Sequence, residues 1–466
     1  MQFLDLAPEL VHQILLEAVL TRGILRFLTL KLVCKRFCHD VQFALFESHL
    51  LDDYNTWGLV TYWHMDRSRR ACNFWHPYLI HRVQNNSDSC PPQFRHIRRI
   101  VETLCAETGD DVKTTIETLC WPALRAATHF ANNKQPSYFK LDFESDLLCA
   151  ATYLNIVPVV KRLLQGKLMP KYRRFLFGSP MLLAASTGHK YLLEYLQEKM
   201  LQMPSDSDRQ FAQYDSIRGA AMSGDLEMVR TALYPSSWST IDNMNFIDGQ
   251  FIPQSSFAGA ALIKAQKSTG NLEMYKYLEG FFPQPTECPS EKGLRLHIHL
   301  GHFEIVKYIL DTTATFFLEF IRVSGSRHQD VNDFLLERGL NLKFARLDEL
   351  KSKWMGDNII PIEDQERNIL LVQMLLDRGA SIFEVRTADH ALRWAIWRED
   401  TFMVKMLLAS GIDLPSCGGF LLSFAVIHGL DSMKEILQAE FFKLSKPQRA
   451  RWMMTDGRID PEKHEP

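Results

Sequence analysis

A chain of 466 residues exceeds the size at which one hydrophobic core keeps growing, so the sequence predicts several domains or an array of repeats. Its apolar fraction of 46% and its charged fraction of 23% are those of a folded globular protein and argue against extended disorder. The net charge of −2 predicts no overall basic surface, and we therefore expect no nucleic-acid partner.

The N-terminal residues and the cysteines predict a soluble intracellular protein. Asp5 and Glu9 lie where a signal peptide would be apolar, and no apolar run approaches the roughly 18 residues that a bilayer-spanning helix needs. The nine cysteines are an odd number without tight spacing, which is typical of reduced thiols. We expect the protein in the cytoplasm, the nucleus or both, without a membrane partner.

Two apolar stretches near the N-terminus have helical periodicity. Pro8 suits the first turn of a helix, because the N–H that it lacks has no partner there. The apolar residues that follow form one predicted helix face, made of Leu10, Ile14 and Leu15. The second stretch repeats the pattern at Leu28, Leu32, Val33 and Phe37.

Together the two stretches resemble an F-box. A leucine and a proline open the segment, with Ala7 between them, and the phrase Leu-Val-Cys-Lys-Arg-Phe at 32–37 closes it. The resemblance implies a small three-helix segment, at residues 1–50, that docks on the Skp-type adaptor of a cullin-RING ubiquitin ligase. It also implies a set of docking residues, some of which would instead pack the segment's own core: Leu6, Pro8, Leu10, Ile14, Leu15, Leu28, Leu32, Val33 and Phe37. The alternative is that these helices only cap the array that follows.

Residues 51–140 are predicted to be a helical connector or an N-terminal cap. The segment is rich in aromatic residues, namely Trp57, Trp63, Trp75 and Trp121. Asparagine, serine and two prolines interrupt it at 85–93, where a helix would break.

One phrase recurs along residues 141–442. It has a small or polar anchor residue, about four further positions, an apolar pair and then a second apolar residue or pair. The clearest copy begins at Gly301 and contains Ile305, Val306, Ile309 and Leu310. The anchors are Asn155, Gly188, Gly224, Gly270, Gly301, Arg367, Glu399 and Gly429. The interval from 155 to 188 is 33 residues, and the interval of 66 from 301 to 367 holds a degenerate copy at 331–342.

A period of about 33 residues is that of the ankyrin repeat, in which a turn leads into two antiparallel helices. The chain resembles the ankyrin-repeat family over residues 141–442, with about nine degenerate repeats and insertions near 234–251 and 343–364. The best copy of the family's opening phrase lies at 179–189. The resemblance implies an all-α protein, an ankyrin-repeat helical solenoid behind the F-box-like segment. Residues 443–466 are predicted to be a polar C-terminal tail.

Each part of the repeated phrase has a physical reason. The anchor glycine is predicted to end the first helix in the left-handed conformation, which strains other residues. The apolar pairs of the second helix are predicted to face the stack. Small residues in the first helix are predicted to let neighbouring repeats approach closely: Ala184, Ala185, Ala220, Ala221, Ala260 and Ala261.

Clusters that could carry chemistry are incomplete. His297, His299 and His302 lie close in sequence, but no cysteine or carboxylate at ligand spacing completes a metal site. Cys34 and Cys38 lack a second ligand pair. No phosphate-loop, dinucleotide-binding, nucleophile-elbow or H-E-x-x-H phrase is present. We therefore expect no metal, no cofactor and no enzymatic activity.

Two hypotheses about function follow. In the first, the chain is the substrate receptor of a Skp–cullin–F-box ubiquitin ligase, is a monomer by itself, and holds an unidentified protein substrate on the concave face of the solenoid. In the second, it is an ankyrin-repeat scaffold or adaptor protein without a ligase role. Candidate substrate-binding residues are Arg393, Trp394 and Trp397, although their helical spacing favours a place in the core.

Overall fold

The computed structural model describes most of the chain and is helical there. The described residues are 6–28, 35–53, 69–85, 91–127, 141–165, 176–203, 205–235, 257–282, 291–312, 328–338, 392–393, 395–397, 399–409, 412 and 414–453. Their regular secondary structure is α-helix throughout, which confirms the prediction of an all-α protein. Within these ranges no helix is both long enough and apolar enough to cross a membrane.

The described residues form a series of α-helices. In chain order they are α1 (Pro8–Leu28), α2 (Lys35–Glu47), α3 (Leu50–Asp53), α4 (Arg69–Gln84), α5 (Pro92–Thr108), α6 (Val112–Ala127), α7 (Phe143–Tyr153), α8 (Val157–Gln165), α9 (Pro180–Ser186), α10 (Lys190–Met200), α11 (Asp206–Ser223), α12 (Leu226–Leu233), α13 (Phe257–Ser268), α14 (Leu272–Glu279), α15 (Glu291–Leu300), α16 (Phe303–Thr312), α17 (Gln329–Glu337), α18 (Thr401–Ala409), α19 (Leu414–Ile427), α20 (Asp431–Lys443) and α21 (Lys446–Met453). The chain forms two compact units. Met1–Ser48 with Thr315–Pro466 is one, and His49–Ala314 is the other.

In the unit His49–Ala314, three helices lead into a series of helix pairs. Helices α4, α5 and α6 pack on one another, and α5 also contacts α7. From α7 onward a tight turn joins the two helices of each pair. The first helices stack in order, α7 on α9, α9 on α11, α11 on α13 and α13 on α15. Among the second helices, α10 contacts α12 and α14 contacts α16.

The turns inside the helix pairs share one backbone geometry. The residue at the turn has a positive φ in the pairs with Asn155 (58°), Gly188 (77°), Gly224 (76°), Gly301 (71°), Glu399 (54°) and Gly429 (61°). The predicted left-handed conformation is therefore confirmed at four anchor glycines. Two anchors of other types, Asn155 and Glu399, adopt it as well, although it strains residues that carry a β-carbon.

A hydrogen bond accompanies most of these turns. The N–H of the residue after the anchor donates to the carbonyl five residues earlier, as from His189 to Ala184 at 2.9 Å. The same bond joins Ile156 to Ala151, His302 to His297, Asp400 to Ala395 and Leu430 to Ala425.

Gly270 departs from this pattern, because its φ is not in the left-handed region. A β-carbon at this position would lie 3.0 Å from Nε2 of His302. The prediction of a left-handed turn was wrong here. Glycine is favoured at 270 because the imidazole of the next pair occupies the space of a side chain.

The small residues of the first helices are mostly buried between neighbouring pairs. Ala184 and Ala185 of α9, Ala220 and Ala221 of α11, and Ala261 of α13 are inaccessible to solvent. Ala260 is exposed instead, which corrects its predicted place in the stack. Consecutive residues of a helix point about 100° apart, so the burial of Ala261 turns Ala260 outward.

The first apolar pair of most second helices is buried as predicted, whereas Leu163, Leu310 and Leu408 of the second pairs are half-buried. The buried members include Val159, Val160, Leu192, Leu193, Met228, Val229, Met274, Ile305, Val306, Met403 and Val404. Cations also lie over tyrosine rings of the following pair, as Lys161 does over Tyr191 at 5.1 Å and Lys276 over Tyr308 at 4.6 Å. These contacts are at the surface, so burial of the apolar residues contributes most of the stability.

In the other unit, α19 and α20 form a pair, and α21 packs on α19. Trp452 of α21 is fully buried, with its ring centroid 5.3 Å from that of Phe441. The region expected to be a polar tail thus contains a packed helix, because one apolar side chain anchors an otherwise polar segment. Val331 and Leu335 of the degenerate copy are buried in α17. The copy anchored at Arg367 lies outside the described residues.

Candidate protein-binding site

The buried face of α1 is formed by Val11, Leu15 and Val19, which are four residues apart. The helix begins at Pro8, as predicted, and the N–H groups of Leu10 and Val11 donate to the carbonyl of Ala7 at 3.0 and 3.1 Å. Helix α1 packs against α2. The contact fixes which side of α1 faces solvent.

The side of α1 next to this buried face carries apolar residues that are exposed to solvent. Leu10 is 50% exposed and Ile14 is 45% exposed. They are four residues apart on a helix and therefore adjacent on its surface. We call Leu10 and Ile14 the α1 patch. Two further apolar side chains of this region, Leu20 of α1 and Phe43 of α2, are also exposed and were missed in the sequence.

A hydrogen bond joins α1 to α2. The imidazole Nε2 of His12 lies 2.6 Å from Oε2 of Glu47, and its ring centroid lies 5.3 Å from that of Phe43. Both polar groups are partly exposed, so the pair orients the helices more than it stabilises them. Sequence reasoning missed this pair, because the two residues are 35 positions apart.

The other predicted docking residues have different surroundings. Pro8 is exposed, and Leu6 and Phe37 are half-buried. Leu15 is buried and does not share the exposed face of Leu10 and Ile14. The prediction that these three residues form one face was therefore wrong for Leu15. Leu32, Val33 and the side chain of Leu28 lie outside the described residues.

The candidate substrate-binding residues pack on α19. The guanidinium carbon of Arg393 lies 6.0 Å from the ring centroid of Phe420. The Trp397 ring lies 4.7 Å from that of His428, edge to face, and 5.8 Å from that of Phe424. Trp394 lies outside the described residues. The half-buried Trp397 thus contributes to packing between neighbouring helices.

His297 of α15 and His302, in the turn between α15 and α16, form a hydrogen-bonded pair. Nδ1 of the buried His297 lies 2.9 Å from Nδ1 of His302, so one ring donates and the other accepts. The side chain of His299 is outside the described residues. No group of three or more histidine, cysteine, aspartate or glutamate residues that could hold a metal occurs among the residues that the structure describes.

Two buried aspartates connect elements that are distant in sequence. Asp146 of α7 accepts a hydrogen bond from the N–H of Leu176 at 2.8 Å, and its Oδ2 lies 2.9 Å from Nε2 of His96. Asp215 of α11 accepts a hydrogen bond of 2.5 Å from the hydroxyl of Ser179. Burial raises the pKa of Asp215 to about 6. These carboxylates are better explained as structural groups than as catalysts, since each is buried and its contacts lie within the stack.

The described surfaces can bind a partner through exposed apolar or charged side chains. No family model and no curated protein matches the chain. The α1 patch places two neighbouring aliphatic side chains in solvent.

Proposed function

We propose that the chain is the substrate receptor of a Skp–cullin–F-box ubiquitin ligase. In this proposal α1 and α2 belong to an F-box-like segment that binds a Skp-type adaptor. The helix pairs from α7 onward are ankyrin-type repeats that hold a protein substrate. The chain itself performs no chemistry. It holds substrate lysines near a ubiquitin-loaded enzyme, and this proximity accelerates the transfer.

The observation that carries the proposal is the exposure of the α1 patch. Leu10 and Ile14 belong to the F-box-like phrase, and both are exposed while Val11, Leu15 and Val19 form the adjacent, buried face of the helix. Covering two half-exposed aliphatic side chains would contribute about 2 kcal/mol to binding. An exposed apolar pair on a helix whose adjacent face is buried is suited to docking on a partner.

The repeated turn geometry supports the ankyrin part of the proposal. The left-handed residues at 155 and 188 are 33 positions apart, and those at 399 and 429 are 30 apart. Each is followed by a second helix with buried apolar residues. First helices that stack on first helices, with buried alanines between them, are what a solenoid of such repeats requires.

The test is binding of the full chain to a purified Skp-type adaptor. We expect saturable binding by the natural chain and its loss in the double variant Leu10→Asp/Ile14→Asp. The matched control is Phe402→Asp/Phe442→Asp, which changes two apolar residues that are 61% and 68% exposed elsewhere in the same compact unit. The control should bind the adaptor like the natural chain. Circular dichroism checks that every sample is folded.

Two outcomes would contradict the proposal in different ways. A folded natural chain that does not bind the adaptor has no ligase role of this kind, and the remaining hypothesis is an ankyrin-repeat scaffold or adaptor protein. Unchanged binding by the Leu10→Asp/Ile14→Asp variant would show that the α1 patch is not the docking surface.

A further inference from the structure

Helix α21 is held on α19 by one buried side chain. Of the α21 side chains that the structure describes, Trp452 alone is buried. Its indole ring fills a notch at Gly418 of α19, where a β-carbon would overlap the ring, and it lies 5.3 Å from the ring of Phe441 in α20. Several neighbours of Trp452 on α21 are exposed to solvent, namely Lys446, Pro447, Gln448 and Ala450.

Arg449 adds a second, weaker contact. Its guanidinium carbon lies 5.6 Å from the ring centroid of Phe441 and 6.0 Å from that of Phe442, and its Nη2 donates a hydrogen bond to the carbonyl of Phe442. Phe442 is 68% exposed, so this contact lies at the surface and is weak. Arg449 and Trp452 are three residues apart and therefore neighbours on one face of α21. Helix α21 thus binds its own chain as a short peptide would, through an aromatic anchor and a cation.

The helical structure of α21 depends on this contact. The helix has eight residues, fewer than the roughly 12 to 15 that an isolated helix needs in water. The N–H and the hydroxyl of Ser445 both donate to Oε1 of Gln448, at 2.9 and 2.8 Å, but these bonds stabilise only its first turn. Without its tryptophan anchor α21 therefore loses both its place and its structure. We expect it to open at a lower free energy than the rest of its compact unit.

We propose that the surface on which α21 lies is a docking site for a helical segment of a protein partner, and that α21 is its built-in competitor. The site consists of Gly418, Phe441 and Phe442, which we call the α21 seat. The seated helix identifies the chemistry of the occupant. The partner segment carries a tryptophan that enters the notch and an arginine, three residues earlier, that lies over the phenylalanine rings. This inference goes beyond the proposed receptor function and does not depend on an adaptor.

A partner segment has an advantage that a second copy of this chain lacks. Val426 of α19 is 53% exposed and lies about 12 Å along the helix from Gly418, so α21 leaves apolar surface open there. A partner segment longer than α21 covers that surface as well and gains its burial. The α21 helix of a second copy makes only the contacts that the chain's own α21 makes. It also competes with a tethered helix, whose effective concentration is in the millimolar range.

The experiment measures fluorescence anisotropy of a labelled peptide that has the sequence of residues 444–455. Full-length Trp452→Ala has an open α21 seat and should bind the peptide saturably. The natural chain should bind it at least about tenfold more weakly, because only molecules that have released α21 are competent. A peptide with alanine in place of the tryptophan is the peptide control and should bind neither protein.

Three further variants of the full chain locate the site. Ala450→Pro breaks α21 at an exposed position and should also bind the peptide, which keeps the test decisive if Trp452→Ala does not fold. Adding Gly418→Leu to Trp452→Ala fills the notch and should abolish binding. Phe177→Ala is the matched control, since it truncates an equally buried aromatic residue in the other compact unit, and it should bind like the natural chain. Circular dichroism checks the fold of each protein.

Hydrogen exchange of the natural chain tests displacement without a substitution. The peptide is made with norleucine in place of its two methionines, so that its fragments differ in mass from those of α21. At saturating peptide, the amides of α21 should exchange several-fold faster, whereas those of α19 should stay protected. A helix that is only a fixed cap would exchange at the same rate with and without the peptide, and this result would overturn the inference.

Three other outcomes would also overturn it. They are no peptide binding by folded Trp452→Ala and Ala450→Pro chains, equal binding by Trp452→Ala and Phe177→Ala, and a natural chain that is a dimer in light scattering and becomes a monomer in Trp452→Ala. The last would identify α21 of a second copy as the occupant. A chain that binds the peptide but no Skp-type adaptor would keep this inference and lose the proposed function.

Discussion

Gly219 of α11 lies against the backbone carbonyl of Leu182 in α9, so closely that a β-carbon at 219 would overlap its oxygen. The same β-carbon would lie 3.0 Å from that of Ala185, which is itself inaccessible to solvent. The two first helices thus approach as closely as their backbones allow. A contact of this density has no space for additional atoms.

Ala185→Leu should therefore lower the free energy of unfolding by about 3 kcal/mol, because the added atoms force α9 away from α11. Ala260→Leu is the matched control, since Ala260 is exposed on α13. We expect it to change the free energy by no more than about 0.5 kcal/mol. Urea unfolding followed by circular dichroism gives both values. Equal losses in the two variants would contradict the stacking described here.

At the left-handed turns we expect two substitutions to change the stability of the protein in opposite directions. Gly188→Ala should destabilise the protein by about 1 kcal/mol through backbone strain alone, because the added β-carbon meets no atom within 4 Å. Glu399→Gly should stabilise it by about 0.5 kcal/mol, since relief of strain exceeds the entropy that glycine adds to the unfolded chain. Thermal unfolding of the full chain measures both. Stabilisation by alanine at 188 would be incompatible with the turn geometry.

Local features of the fold were predictable from the sequence. The left-handed turn at Gly301 follows from glycine at the end of a helical pattern, and the burial of Ile305 and Val306 follows from their spacing. Both depend on residues within a few positions of one another. Because the phrase recurs about every 33 residues, the turn and the buried apolar pair could be predicted at several places along the chain.

Features that depend on distant residues were not predictable. The sequence pattern puts Leu10 and Leu15 on one apolar face, and only the position of α2 shows that Leu15 is the buried one. The contact between Lys264 and Tyr214 joins residues 50 positions apart, and the polar sequence around Trp452 does not reveal its buried position. Periodicity identifies apolar faces, but it does not identify the neighbour that covers them.

Trp452 packs directly against the backbone of Gly418. A β-carbon at Gly418 of α19 would overlap the indole ring, which is fully buried. Gly418→Ala should thus lower the free energy of unfolding by about 2 kcal/mol. Trp452→Ala should lower it by about 4 kcal/mol, because it empties the space that the indole fills.

A double-mutant cycle measures the energy of the contact between Gly418 and Trp452 separately from the effect of each substitution alone. In the Trp452→Ala background, Gly418→Ala should cost nothing or stabilise by up to about 1 kcal/mol, because alanine favours a helix and the ring is gone. Urea unfolding of the four proteins measures the coupling. Additive losses would show that Trp452 does not pack on Gly418.

Asp215 should make stability depend on pH. Burial raises its pKa to about 6, against the effects of the Ser179 hydroxyl and of the charges on Arg218 and Lys264. The unfolded carboxyl titrates near its ordinary value of 3.8. The folded state therefore binds the proton more tightly. This contribution to stability is fully present below about pH 4 and is lost as the pH rises through 6.

Asp215→Asn replaces the titrating carboxyl group with an amide, whose oxygen can still accept the hydrogen bond from Ser179. Relative to the natural chain, the variant should gain about 3 kcal/mol of unfolding free energy between pH 4 and pH 8, since a pKa difference of about two units corresponds to that energy. Urea unfolding at several pH values measures the difference. Asp431→Asn, at an exposed position of α20, is the control. A difference that is the same at every pH would mean that Asp215 titrates alike in the folded and unfolded chain, and that its burial beside Ser179 costs no ionisation energy.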